Sequence, residues 1–301
     1  MTIKIAYSEE YHHPLPENHR FPMEKYSLIP QQLLYEGTFS HDSFFIPKRF
    51  DPQVISAIHD KNYINRLNSG KLLKREERRI GFPWSPELIR REEHITFGTI
   101  QTALYAMEYG ISFNVAGGTH HAYRDRGEGF CIYNDIAVAS QYLLDRSKVK
   151  QILVVDLDVH QGNGTAKIFE KDTRVYTFSM HNANNYPLHK ENSDLDIALN
   201  NDITDKEYLD LLRYNLKNLI NKVKPDIIFF QSGVDILEND RLGKLSISKE
   251  GIRERDAIVL QNASLNGIPI AASMGGGYSP SLRHIVDAHC NTYRLARDIF
   301  C

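Results

Sequence analysis

Residues 151–164, QILVVDLDVHQGNG, decide how the rest of the chain is read. The stretch opens on a nearly continuous apolar run, the pattern of a strand buried on both faces of a parallel sheet. It closes on a glycine-rich turn. In between, Asp156, Asp158 and His160 are spaced by two, and an extended strand points residues at that spacing to one side. Two carboxylates and an imidazole gathered at the end of a buried strand are unfavourable unless a cation or hydrogen-bonding partners compensate them. A lone aspartate here would read as the cap of a following helix. The D-x-D-x-H pattern before a glycine-rich turn reads instead as a metal site.

Further short β-branched or apolar runs lie on either side: TIKIAY (2–7), SFNVAG (112–117), RVYTFSM (174–180), DIIFFQSG (226–233) and IPIAAS (268–273). Between them come amphipathic, helix-like segments at 86–109, 132–147, 204–223, 248–266 and 279–299. Strands alternating with helices predict an α/β fold of three layers, α/β/α, around a mainly parallel sheet. With no Ser/Gly-rich linker, repeat or low-complexity tract, residues 1–301 are expected to form a single domain. In open sheets of this kind chemistry collects beyond the carboxyl ends of the strands. Each apolar run from 112 onward does end in Gly, Asp, His or Ser.

Composition narrows the function classes. The 301 residues are 42% hydrophobic and 25% charged with a net charge of -2, a globular composition without the signature of a nucleic-acid partner. Cys131, Cys290 and Cys301 show no paired spacing, which suggests neither a disulfide framework nor a zinc ribbon and fits a reducing compartment. The start, MTIKIAYSEEYHH, lacks the apolar core of a signal peptide, and no apolar stretch approaches the roughly 18 residues of a membrane span. A cytoplasmic location is expected. The basic stretch KLLKREERRIGFPW (71–84) is interleaved with glutamates and reads as a solvated helix end or loop rather than a binding patch.

A third metal ligand should come from another strand end, and Asp235 follows the run DIIFFQSG directly. Asp158, His160 and Asp235 would leave a coordination position open for water, the arrangement of a catalytic site. Zinc leads; oxygen-rich ligation also suits Fe(II), Co(II) or Mn(II). In GGTHHAYRDRGEGFCIYND (117–135) two adjacent histidines, His120 and His121, lie between glycines. On a strand such neighbours would serve opposite faces. Beside a metal they gain a joint task, taking the proton of an activated water and returning one to a leaving group. Asp156, free of ligation, can orient one of them. In SMGGGYSP the glycines before Tyr278 let its hydroxyl reach over the site and polarise a carbonyl.

Together, GGTHHAYRDRGEGFCIYNDIAVA, VVDLDVHQGNGT, SGVDILENDRLGKLSIS and GGGY, with HRFPMEKYSLI near the start, resemble the histone deacetylase superfamily. That group includes acetoin-utilisation and acetylpolyamine relatives on the arginase/deacetylase fold. HQGNGT with DILENDRLGKLSIS looks most like the class IV branch and its bacterial relatives. The resemblance implies a zinc-dependent lysine deacylase with Asp158, His160 and Asp235 as metal ligands. It pairs His120 with Asp156, gives His121 the main general base and acid role, and makes Tyr278 the carbonyl-polarising group. Gly129 and Phe130 would line the acyl tunnel, with Tyr186 opposite and Gly276 and Gly277 also at the substrate. A structural potassium ion near Asp156, Asp158, His160 and Ser179 is implied too. Asn163 stands where many members carry an Asp beside the second histidine. An amide can orient His121 but supplies no charge to favour its imidazolium.

The substrate is expected to be an acyl-lysine peptide or protein, or a small amide, carrying an acetyl or longer fatty acyl group. Acetylpolyamine enzymes of the family place a glutamate after the last metal aspartate, where this chain offers Leu242, which lowers that alternative. An arginase-like manganese ureohydrolase would need further Asp-rich strand ends. A catalytically silent acyl-binding scaffold would not need the full set of ligands, histidines and tyrosine.

Overall fold

The runs ISFN, ILVVD, IIFFQ and IAAS are buried at every residue, as the centre of a parallel sheet covered on both faces requires. The computed structural model describes residues 3–301, so Thr2 of the first predicted run lies outside the described residues. Eight strands form one sheet: β1 (Lys4–Ala6), β2 (Phe44–Phe45), β3 (Ile111–Asn114), β4 (Ile152–Asp156), β5 (Val175–Asn182), β6 (Leu195–Leu199), β7 (Ile227–Gln231) and β8 (Ile270–Ser273). Their order is β2-β1-β3-β8-β7-β4-β5-β6, and every neighbouring pair is parallel. All six predicted runs are strands. The two that the sequence did not signal, β2 and β6, are the sheet's edges, short and half-exposed, where the apolar pattern is weakest.

The helices are α1 (Lys25–Tyr35), α2 (Gln53–Ser56), α3 (Lys61–Asn68), α4 (Lys74–Ile80), α5 (Pro86–Tyr109), α6 (Asp135–Asp145), α7 (Asn163–Phe169), α8 (Asp205–Val223), α9 (Lys249–Leu265) and α10 (Leu282–Phe300). α5 begins where the Leu88 N–H donates to Ser85 Oγ at 3.0 Å, with Pro86 in the first turn, and stops at Gly110 in a left-handed conformation. α6 starts later than residue 132 because Asn134 is its cap, accepting from the Ala137 N–H at 3.0 Å. α1 carries Pro30 in its interior, which removes an amide donor and hides the helical pattern. α5 packs on β1, β3, β8 and α6, while α8, α9, α10 and α1 pack in succession against one another. The sheet lies between helical layers, as the alternation predicted.

One expectation needs correction. The strand does not run on through His160; β4 ends at Asp156 and residues 158–160 form a series of bends. The carboxylates themselves break it. Asp156 Oδ1 accepts the Asp158 N–H at 3.2 Å and Asp158 Oδ1 accepts the His160 N–H at 3.0 Å, so side chains replace the ladder partners. Alternation nevertheless survives: Leu157 and Val159 stay in the core while Asp158 and His160 face the site. The loops after β3, β8, β7, β4 and β5, five consecutive positions in the sheet, supply that site.

Candidate active site

The side chains of Asp158, His160 and Asp235 converge, with one donor atom from each within 4.8 Å of the others. His160 Nδ1 lies 3.0 Å from Asp158 Oδ1 and 3.2 Å from Asp235 Oδ2. Backbone amides anchor the remaining oxygens: Gly276 N–H donates to Asp158 Oδ2 at 2.8 Å, and Val159 N–H to Asp235 Oδ1 at 2.9 Å. Asp235 Oδ2 is buried and accepts no hydrogen bond, an arrangement that native interiors rarely leave uncompensated. Burial, reinforced by the Asp158 charge, pushes the Asp235 carboxyl up to about 7. A cation removes both penalties. Two carboxylates, one imidazole and an orphaned oxygen therefore fit a divalent ion held by three protein ligands. Only glycine is accommodated at position 276, because a Cβ there would sit 2.0 Å from Asp235 Oδ2.

His120 and His121 stand on an irregular turn rather than a strand, so they do not splay to opposite faces. Their rings lie 4.1 Å apart and both are buried. Each has its own partner. His120 Nδ1 donates to Asp156 Oδ2 at 2.7 Å, and His121 Nδ1 donates to Asn163 Oδ1 at 2.6 Å. The amide's orientation is set from behind, since Asn163 Nδ2 donates to Glu128 Oε1 at 2.8 Å and to Tyr123 Oη at 3.0 Å. Burial disfavours the His120 imidazolium, but Asp156 and Asp158 outweigh it and hold the ring above its usual value. For His121, burial together with the charges of His120 and His160 prevails, leaving it well below. The two histidines are unequal.

Tyr278 is fixed by its backbone N–H, which donates to Asp240 Oδ2 at 2.6 Å, and its ring centroid is 6.5 Å from that of His160. Burial, with the Asp235 and Asp158 carboxylates, pushes the phenol well up, so it remains an O–H donor. Gly129 and Phe130 both have left-handed backbone, with φ of 56° and 66°. This is unusual for a bulky residue and requires support. The support is a pair of hydrogen bonds to the end of α4, Gly129 N–H to Arg79 O at 3.0 Å and Phe130 N–H to Ile80 O at 2.7 Å. Tyr186 forms the facing wall, its ring edge-on to His121 at 4.8 Å and its hydroxyl donating to Glu128 Oε1 at 2.9 Å.

Phe130, Tyr186, Leu242 and Tyr278 line a mouth pocket of about 430 Å³ that reaches His121 and His160. Beside the metal ligands lies a smaller space of about 40 Å³, bordered by Gly129, Gly275, Gly276 and Arg91. Gly277 borders neither space. It packs against Val234 and His289, and Gly275 stands at the cavity wall in its stead. Ser179 on β5 pairs in register with Asp156 on β4, and its Oγ is 3.0 Å from His181 Nδ1.

Four supporting groups had no sequence signal of their own. The buried Arg255 guanidinium pairs with Asp256 and donates to the carbonyls of Leu157, Ser232 and Gly233, clamping both loops that carry metal ligands. Lys25 is buried, donates to Gly275 O at 3.2 Å, and is drawn down to about 8 by burial against the pull of Asp235 and Asp158. Arg91 pairs with Glu92 and leaves Nη2 without a partner. Glu128 sits within a quoted motif, yet its place behind Asn163 and Tyr186 emerges only from the fold.

The histone deacetylase domain model matches residues 19–293. An uncharacterized protein of Picosynechococcus is 41% identical over 300 residues, covering 100% of both chains. Histone deacetylase 2 of Arabidopsis thaliana is 28% identical over 296 residues, covering 94% of this chain and 76% of that one. The crystal structure of a histone deacetylase homolog from Aquifex aeolicus superposes with a TM-score of 0.83 at 23% identity, covering 98% of this chain and 84% of the other.

Proposed function

The chain belongs to the histone deacetylase family and is an amidohydrolase; from that premise we propose that it is a zinc-dependent deacylase of an N-acyl-lysine or a chemically similar N-acyl amine. The observation that carries this reading is the convergence of Asp158, His160 and Asp235 beside His121 and Tyr278 at the base of an open pocket. The reading takes residues 1–301 as one catalytic domain, close to the class IV branch. It takes the turn near Asp156, Asp158, His160 and Ser179 as a potassium site.

Asp158, His160 and Asp235 would hold the metal. When bound, the ion supplies Lewis-acid polarisation of the acyl carbonyl and a more acidic water. With its Nδ1–H committed to Asn163, His121 presents Nε2 as the atom that would accept a proton from the attacking water. Tyr278 donates its O–H to the acyl oxygen as negative charge develops there. His120 donates its Nδ1–H to Asp156, whose carboxylate favours the imidazolium form of this ring. His121 then passes its proton to the departing amine. The small space beside the ligands supports a short acyl group, since about 40 Å³ is room for only a few waters. Leu242 at the mouth, where a carboxylate would attract a polyamine, weighs against a polycationic substrate.

Metal analysis combined with hydrolysis of acetyl-, octanoyl- and myristoyl-lysine peptides tests the reading. One zinc per chain and turnover led by the acetyl peptide are expected. Two manganese ions, or acyl-peptide binding without turnover, would overturn it. Among the described residues only one His/Asp cluster of this kind occurs, which supports one ion rather than two.

A pH prediction follows from Asn163. His121 faces His120, His160, Asp158 and Tyr186, with Glu128 one amide away. In Asn163→Asp a carboxylate against Nδ1 raises the His121 pKa. A general base works when neutral, so the acid limb of kcat/KM moves to higher pH. An unchanged limb in the variant would remove His121 from that role.

A further inference from the structure

The basic stretch that the sequence read as solvated lies at the pocket mouth. Arg78 and Arg79, at the end of α4, line it together with Arg20, and among the described residues no carboxylate does. Among the described residues none of the three guanidinium groups makes an ion pair. Arg78 Nε donates only to the Lys74 carbonyl at 3.3 Å, and Arg20 lies over the Phe130 ring at 5.0 Å. The backbone pairing of Arg79 and Ile80 with Gly129 and Phe130 keeps the arginines next to the tunnel wall. On the facing side, Lys190 holds the carbonyls of Asn185 and Pro187, and Lys244 that of Asn184, so the loop bearing Tyr186 adds positive charge.

Two carboxylates beside the pocket are already engaged. Glu128 faces inward to Asn163 and Tyr186, and Asp240 accepts from the backbone amides of Leu242, Gly243 and Tyr278. A chain with net charge -2 thus presents arginines without ion pairs at the rim of its candidate active site. Unpaired arginines around a concave opening favour an anion, and their planar fork matches a carboxylate in two-point contact.

We infer that the substrate carries a carboxylate on the part that remains outside the tunnel, recognised by Arg20, Arg78 and Arg79. This rests on the deacylase reading above. The carboxylate has two sources: Asp or Glu side chains flanking an acyl-lysine in a peptide, or the main-chain carboxylate of a free N-acyl amino acid. Both present the same chemistry a short distance from the acylated amine. A substrate with cationic flanks meets repulsion at the same rim.

The test uses acetyl-lysine peptides with acidic, neutral or basic flanks, and Nα,Nε-diacetyl-lysine as free acid and as primary amide. kcat/KM is measured for each, with binding followed in parallel by fluorescence anisotropy of labelled peptides or by competition. In low salt, acidic flanks or the free acid should be favoured over their basic or amide counterparts on the order of tenfold, mainly through KM. The preference should shrink as salt screens it. It should collapse in Arg78→Gln/Arg79→Gln and in Arg20→Gln, and reverse in Arg78→Glu/Arg79→Glu. Preference for acidic flanks identifies a peptide, and preference for the free acid over its amide identifies the small molecule. Equal handling of all charges, in turnover and in binding, overturns the inference. If no substrate turns over, the deacylase reading fails, while the anisotropy series still decides the rim.

Discussion

Tyr278→Phe should lower kcat by about 10²–10³ while leaving the fold and the bound metal in place, the usual loss when one donor to a developing oxyanion is removed. The backbone that positions Tyr278 is independent of its hydroxyl: the N–H is held by Asp240, and the ring packs among Phe21, Phe130 and His160. Phenylalanine keeps all of these contacts. The phenol's raised pKa means that it enters the reaction with its proton, so the loss is that of a hydrogen bond donated to the acyl oxygen. Ground-state affinity should change little, and kcat and kcat/KM should fall together. Steady-state kinetics with metal content and circular dichroism as controls check this. A variant retaining near-normal kcat would mean that the tyrosine is a wall and not a donor.

Arg255→Met should destabilise the protein by about 3–5 kcal/mol, the range for breaking a fully buried ion pair and stranding its partner. Arg255 and Asp256 are both wholly buried. Removing the guanidinium leaves Asp256 with Thr292 as its remaining partner and withdraws donors from three loop carbonyls. Because those carbonyls belong to the turns bearing Asp158 and Asp235, metal affinity should fall together with stability. Arg255→Lys should recover only part of the loss, since a point charge cannot span the carbonyls as a planar fork does. Urea unfolding of the apo and metal-loaded proteins measures both effects. A loss under about 1 kcal/mol would show that the pair is not a structural clamp.

The sheet's centre was legible because burial on both faces writes a continuous apolar run. β3, β4, β7 and β8 carry such runs and were found, whereas the edges β2 and β6 were not. The chemistry-bearing side chains were legible for a related reason: an Asp or His directly after a buried run is too costly to keep there without a ligand or a partner. The supporting groups were hidden because burial of Lys25, Arg91 and Arg255 depends on contacts between distant elements. Nothing in IRREEH or RERDA distinguishes an interior arginine from one on a solvated helix face. Residues 71–84 do contain a short exposed helix, as read; what the sequence could not give is that the pairing of its end with Gly129 and Phe130 brings Arg78 and Arg79 to the pocket. The unequal histidines were anticipated from Asn163, but the carboxylate one amide further back was not.

The two backbone hydrogen bonds from Gly129 and Phe130 to Arg79 and Ile80 splice a specificity surface to the bore of the channel behind it. Side-chain exchanges along α4 can therefore retune which flanking charges are welcomed without altering the channel's width. An insertion or deletion anywhere between Leu73 and Phe82 would shift the splice and drag Phe130 out of its left-handed seat. Divergence of substrate choice in such a lineage should proceed by residue replacement at constant loop length.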